Sequence, residues 1–132
     1  MARKKSSTLT EAELRLMDVL WNKGKSTVAN IAEALAARHG LAYNTVLTTM
    51  RILEEKGYVR HSKQEAGRAF IYTPRVGRAD ATRGAVRDLL RRFFGRSHEA
   101  LVLNILENEE LNGRETRRIR DLLDRLDKEG QQ

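Results

Sequence analysis

The chain has 132 residues, is 40% hydrophobic and 33% charged, carries a formal net charge of +7 and contains no cysteine. This length fits one domain or two small ones, no apolar run is long enough to span a bilayer, and neither disulfides nor thiolate metal sites are possible. No charged-then-apolar leader is present, so we expect a cytoplasmic globular protein without membrane insertion.

The positive charge is concentrated in the first part of the chain. Residues 1–76 carry 13 Lys or Arg against 7 Asp or Glu, a balance of +6, whereas residues 77–132 carry 12 against 11, a balance of +1. A basic balance can serve solubility alone. Its uneven placement instead favours a polyanionic partner, nucleic acid, for the first part.

The chain begins with a short basic segment whose charged residues have no apolar partner at helical or strand spacing. Its charges are Arg3, Lys4 and Lys5. The segment is either an arm that follows DNA phosphates or a disordered start. A capping box formed by Thr10 and Glu13 then opens a first helix that ends at Gly24. The apolar residues predicted to form its buried stripe are Leu14, Met17, Leu20 and Trp21.

A second helix follows, capped by Ser26 or Thr27 and closed by Gly40. Its predicted buried stripe consists of Val28, Ile31, Ala32 and Leu35. Only a few residues separate it from a third helix that begins near Tyr43. Two short helices joined this tightly indicate a helix-turn-helix.

The third helix has an unusual polar face. Val46, Met50 and Leu53 recur at helical spacing and form its buried side. In the first half of the helix, the side chains of the opposite face are short, polar and nearly all uncharged. Side chains of this kind suit a helix that reads base edges at close range in the major groove. The residues predicted to read bases are Asn44, Thr45, Leu47, Thr48 and Arg51. Asn44 suits an adenine edge, and Leu47 a thymine methyl group.

After Gly57 the hydrophobic period changes from 3.6 to 2. Residues 58–63 and 68–73 flank a turn that contains Gly67, which predicts a two-stranded hairpin. A hairpin after a recognition helix is a wing, and Arg60, Lys63 and Arg68 would contact flanking phosphates. The alternative is a solvated hairpin whose charges only discourage edge pairing.

Beyond Pro74 and Gly77 the pattern is helical throughout. Three short amphipathic helices are predicted, the second capped by Ser97 and the third opened by Asn112 with Glu115. Alone they bury little surface, so they either complete their core with a second copy or fold back on the winged domain. The candidates for a dimer interface are Phe93, Leu101, Ile105 and Leu122.

These predictions give a mainly α fold with a small β-hairpin: a winged helix-turn-helix domain over residues 1–76 and a three-helix dimerisation domain over residues 77–132. Three segments, 41–57, 67–74 and 101–107, resemble the recognition helix, wing and dimerisation helix of the penicillinase-repressor (BlaI/MecI-type) transcription regulators. The resemblance covers nearly the whole chain in the right order. It implies a homodimeric repressor that binds a dyad operator in double-stranded DNA.

The resemblance also implies a switch. In the family's antibiotic-responsive members a membrane sensor-protease system leads to cleavage within the dimerisation helix, at an Asn-Phe bond that aligns with Asn104–Ile105. The chain departs from the family at Ala42, where relatives often have Ser, at Leu47, where several have Lys or Arg, and at Ile105 itself. Because the chain lacks cysteine, the copper-responsive branch is excluded.

Other classes of function fit less well. His39, His61 and His98 lie far apart with no second ligand or nucleophile at a useful spacing, so no catalytic residue, metal or cofactor is predicted. RNA binding is disfavoured because aromatic residues make up only 5% of the chain. The remaining alternative is a winged-helix module whose basic face binds an acidic protein, and a gel shift with inverted-repeat DNA separates the two.

Overall fold

A computed structural model describes residues 8–63, 67 and 69–131. In these ranges the chain forms six helices and three strands. The elements in order are α1 (Glu11–Lys23), β1 (Ser26–Thr27), α2 (Val28–His39), α3 (Tyr43–Lys56), β2 (Val59–Lys63), β3 (Phe70–Pro74), α4 (Arg78–Phe93), α5 (His98–Asn108) and α6 (Gly113–Gly130).

Most helix ends are set by the residues that the sequence indicates. The capping box of α1 is formed, since the Thr10 side chain accepts from the Glu13 N–H and the Glu13 carboxylate accepts from the Thr10 N–H. Thr27 caps α2 by accepting from the Asn30 N–H, and Gly40 ends that helix in the left-handed region. These bonds satisfy backbone groups that a helix end leaves unpaired.

The hairpin belongs to a larger sheet than predicted. Strand β3 lies in the middle, with β2 on one side and the short strand β1 on the other, all antiparallel. Strand β1 pairs Ser26 with Tyr72 and Thr27 with Ile71. The prediction of a two-stranded sheet was therefore incomplete, because a strand of two residues shows no alternation in sequence. A helix-turn-helix followed by this hairpin, whose strands β2 and β3 we call the wing, is a winged-helix fold.

One apolar core joins α1, α2, α3 and the sheet. Its side chains with almost no exposed surface are Leu16, Met17, Leu20, Ile31, Val46, Met50, Leu53 and Val59. The prediction for α1 was wrong at Leu14, which keeps 43% of its surface exposed, while Leu16 is buried instead. Trp21 is half-buried, and its indole Nε1 donates to the Val76 carbonyl at 2.9 Å.

The described residues divide into two compact units, the first ending at Leu89 and the second beginning at Leu90. Helix α4 contributes residues to both. The proposed functional boundary after residue 76 is a separate matter and stays a prediction. In the second unit, Ser97 caps α5 and the capping box of Asn112 and Glu115 opens α6, as predicted.

No helix in the described ranges is both long and apolar enough to cross a bilayer.

Candidate nucleic-acid interface

Helix α3 is fixed to the core along one side. Val46, Met50 and Leu53 have no exposed surface. The helix ends at Gly57, whose φ of 89° lies in the left-handed region that glycine adopts without a steric penalty. The Tyr58 N–H then donates back to the Leu53 carbonyl at 2.9 Å, which turns the chain into the wing.

The polar side chains of α3 lie on its opposite side. Asn44, Thr45, Thr48 and Arg51 are all exposed, so the structure brings four of the five predicted base-reading residues onto one open face. Leu47 differs because it is half-buried and packs against the core, which leaves only part of its side chain available.

The start of α3 lacks a side-chain cap, at the position where the sequence departs from the family. Ala42 is the N-cap and provides no side-chain hydrogen bond, so no cap side chain occupies the first N–H groups of the helix. Such groups attract anions because the helix dipole is positive at this end. Beside them Tyr43 exposes 52% of its surface. Its position at the first turn, next to Asn44, was the available signal that it belongs to this face.

The wing presents basic residues where the structure describes it. Arg60 and Lys63 on β2 are exposed, whereas Arg68 and the arm residues lie outside the described residues; those arm residues are Arg3, Lys4 and Lys5. Phe70 on β3 keeps 49% of its surface exposed and was not predicted as part of the site. The sequence gave no signal for this exposure, since Phe70 and the buried Tyr72 are two residues apart and therefore lie on the same face of β3.

Helix α3 and the wing are joined by a side-chain contact. The Glu54 carboxylate accepts from the His61 backbone N–H at 3.2 Å and lies 2.7 Å from the His61 Nδ1. The His61 ring packs edge-on against Phe70 with 4.8 Å between centroids, and lies 5.7 Å from the Tyr72 ring. Burial raises the pKa of the Tyr72 hydroxyl, and the negative charge of Glu54 adds to that rise.

An ion pair between Lys56 and Glu13 fixes the C-terminal end of α3. Lys56 Nζ donates to Glu13 Oε1 at 2.8 Å, and the Glu13 side chain is only 5% exposed. Burial alone would raise the pKa of Glu13, but the hydrogen bonds from Lys56 and Thr10, with the Lys56 charge, hold its pKa below the ordinary value. Helix α3 is thus attached to the capping box of α1.

The second unit has a different surface. Among its described residues only Leu90 is buried. Phe93, Ile105 and Leu122 expose 69%, 41% and 50% of their surfaces, and Leu101 is half-buried. Asn104 is also exposed and its carbonyl accepts from the Asn108 side chain at 2.9 Å. These helices present apolar stripes that the described part of the unit does not cover.

Together, the fold and this exposed helix face define the class of winged-helix proteins. The sequence model of one family, described as penicillinase repressor, matches residues 9–125. The chain therefore belongs to the penicillinase repressor family.

Individual relatives agree with this assignment. The chain is 30% identical to the penicillinase repressor of Bacillus licheniformis over 121 residues, which cover 92% of this chain and 93% of that protein. It is 25% identical to the penicillinase repressor of Staphylococcus aureus, over 94% of this chain and 97% of the relative. The solution structure of the DNA binding domain of the repressor BlaI superposes with a TM-score of 0.52 and 29% identity, covering 59% of this chain and 93% of that domain.

Proposed function

We propose that this chain is a cytoplasmic transcriptional repressor that binds an inverted-repeat operator in double-stranded DNA as a homodimer, with α3 in the major groove. The observation that carries the proposal is the division of α3 into two faces. Val46, Met50 and Leu53 are completely buried, while the short polar side chains of the first half are exposed. A helix face that only contacts solvent usually carries charged residues. Short, uncharged polar side chains are instead suited to hydrogen bonding with base edges in the major groove.

Each exposed residue of this face suits a particular contact. Asn44 can bond an adenine edge through its amide, and Arg51 can reach guanine or a phosphate. Thr45 and Thr48 offer both a hydroxyl and a methyl group, which suit thymine. The exposed part of Leu47 would touch a thymine methyl group. The uncapped N–H groups at the start of α3 would meet a phosphate.

Substitution of Thr48 tests this assignment. We expect Thr48→Ala to weaken binding to the operator by about 1–3 kcal/mol and to weaken binding to random DNA less. Thr49→Ala is the matched control, because the Thr49 hydroxyl is held within the helix by donating to the Thr45 carbonyl at 2.8 Å. Titrations of both variants on both DNAs supply the measurement. Equal losses on the two DNAs for Thr48→Ala would contradict base reading.

Sequence-independent affinity would come from the basic residues. Arg60 and Lys63 lie on the exposed part of β2, which follows α3 in the chain and contacts it through His61 and Glu54. We propose that they contact phosphates that flank the base-reading helix, together with Arg68 and the arm residues. Those arm residues are Arg3, Lys4 and Lys5. Such contacts release counterions and make binding sensitive to salt.

Dimerisation is proposed for the second unit. Its exposed apolar residues require a cover, and a second copy of the same helices supplies one with two-fold symmetry. Phe93, Leu101, Ile105 and Leu122 are the proposed interface. One winged module on one half-site binds weakly, whereas two linked modules gain through effective concentration.

Release of the operator is proposed to follow cleavage between Asn104 and Ile105 by a membrane sensor-protease system. This bond lies inside α5, so the helix must open locally before a protease can bind it as an extended chain. Within one copy of the chain α5 has no buried residue, so the contacts that oppose its opening are its own hydrogen bonds and the proposed dimer contacts of Leu101 and Ile105. Mass spectrometry of the chain recovered from induced cells is the test. A fragment that ends at Asn104 is expected, and an intact chain at full induction would contradict this route.

A further inference from the structure

We propose that Glu54 and His61 are positioning residues for operator binding. Their contact attaches strand β2 to the recognition helix, and it thereby holds Arg60 and Lys63 at a fixed distance from the base-reading face. This inference rests on the proposed function and extends it to residues that touch no DNA. It starts from the way in which the wing is attached to the rest of the first unit.

Strand β2 has little attachment to the core. Val59 is its only buried residue in the described range, and Arg60 to Lys63 are exposed. It is also an edge strand, paired with β3 alone. Beyond Val59, the ladder to β3 therefore leaves one edge of β2 without a strand partner, and an edge of this kind can shift or twist unless something else holds it.

The Glu54 carboxylate supplies that additional hold. It accepts from the His61 N–H at 3.2 Å and contacts the His61 ring at 2.7 and 2.8 Å, so a single carboxylate binds both the backbone and the side chain of one residue. Hydrogen bonds to a charged group are stronger than neutral ones. The His61 ring also packs edge-on against the Phe70 ring, with 4.8 Å between centroids.

The position of His61 makes this contact relevant to DNA binding. It lies between Arg60 and Lys63 in the strand, and Glu54 follows Arg51 by one helical turn. Fixing His61 against Glu54 therefore fixes the proposed phosphate contacts of the wing relative to the base contacts of α3. Preorganising two sets of contacts in this way improves affinity, because less ordering remains to be done on binding.

The sign of the charge allows a sharp test. A carboxylate near the DNA repels phosphates, so its removal should by itself tighten binding. Loss of the contact between Glu54 and His61 should instead weaken binding. We would compare full-length wild type with Glu54→Ala, Glu54→Gln and the charge control Glu33→Ala on α2, using DNA that the wild type selects from a random pool.

We expect Glu54→Ala to weaken operator binding about threefold to tenfold, the range set by one or two lost hydrogen bonds. Glu54→Gln should lie between it and wild type, because the amide oxygen can still accept from the His61 N–H. Glu33→Ala should bind as tightly as wild type or tighter. Circular dichroism should show all variants folded, since a hydrogen-bonded side-chain contact of this exposure adds little to stability.

A direct measurement in the free protein accompanies these titrations. The His61 amide should exchange its hydrogen slowly in wild type and fast in Glu54→Ala. In a double-mutant cycle of Glu54→Ala and His61→Ala, the two losses of operator affinity should add only in part, since each variant removes the bond between the carboxylate and the ring and only Glu54→Ala also removes the bond to the His61 N–H.

Two results are distinguishable. If the wild type selects and binds its DNA tightly and Glu54→Ala binds equally well or better, or if the His61 amide stays protected in that variant, this inference is overturned and the proposed function stands. A wild type that binds no inverted-repeat DNA overturns the proposed function, and this inference with it.

Discussion

In the first unit Val46, Met50 and Leu53 have no exposed surface, whereas in the second unit Leu122 and Leu126 expose 50% and 54% of theirs. Both units are built from amphipathic helices with good caps. The difference is that the first unit covers its apolar side chains with its own helices and sheet, while the described part of the second unit leaves them open. An apolar stripe in the sequence therefore indicates that one side of a helix packs against other apolar residues. It does not indicate whether those residues come from the same chain or from another.

The largest expected effect comes from a charge placed in the open stripe of the second unit. Ile105→Asp should give a folded monomer and reduce operator affinity about a hundredfold or more, because the two half-sites lose their linkage. Sedimentation, circular dichroism and a gel shift on the same sample measure this. The contrast between the units would fail if Ile105→Asp unfolded the chain without a folded monomer, since Ile105 would then belong to an intrachain core.

Truncating a side chain in the closed core should act on stability instead. Leu53→Ala should lower the free energy of unfolding of the first unit by about 2–5 kcal/mol, through lost apolar contacts and a cavity. Leu14→Ala is the matched control, because Leu14 is in the same unit but 43% exposed. Urea denaturation followed by circular dichroism measures both. Similar losses for the two leucines would contradict the burial that separates them.

The Glu13–Lys56 pair predicts a dependence on pH. Because the pKa of Glu13 is lowered in the folded state, its contribution is fully present above the ordinary glutamate pKa of about 4.3 and is lost as pH falls through the lower folded value. Glu13→Gln should cost about 1–3 kcal/mol near neutral pH, since it leaves Lys56 without its charged partner.

Thermal melts of wild type and Glu13→Gln from pH 7 to pH 3 test this pair. The difference in melting temperature should shrink at the acid end of the range, where the wild-type carboxyl becomes protonated. A difference that stays constant across the range would show that the charge of Glu13 does not stabilise the fold.

The smallest expected effect distinguishes the charges of the two units. Arg60→Ala should lower the slope of log affinity against log salt by about one without altering sequence preference. Arg117→Ala, an exposed arginine of the second unit, should leave the slope unchanged. Equal changes in both variants would mean that the phosphate contacts are not confined to the winged unit.

The residues that sequence analysis placed correctly are those whose signal is local. Thr10 with Glu13 and Asn112 with Glu115 predicted capping boxes because the spacing itself defines the bond. Val46, Met50 and Leu53 predicted the buried side of α3 for the same reason. The family resemblance then supplied the order of the elements, and the family match over residues 9–125 confirmed it.

What the sequence did not predict depends on distant partners. Strand β1 forms because Ser26 and Thr27 pair with β3. Two residues are too few to show the alternating pattern by which a strand is predicted. Glu54 and His61 read as ordinary polar residues until the turn at Gly57 brings α3 back beside β2. The exposure of Leu14 likewise depends on which side of α1 faces α2, α3 and the sheet. Hydrophobic periodicity alone does not decide between a stripe that contains Leu14 and one that contains Leu16.

The pairing of β1 with β3 also affects how the chain folds during its synthesis. The bond from Trp21 to Val76 joins residues 55 positions apart, and β1 pairs with a strand that comes after α3 in the chain. Closing such long loops costs entropy before the contacts that reward it can form, which slows folding. A nascent chain that has left the ribosome only as far as Lys56 still lacks β3, the strand that completes the core. The first unit therefore completes its core only after β3 has emerged, and the proposed binding to a two-part operator waits further for the helices of the second unit.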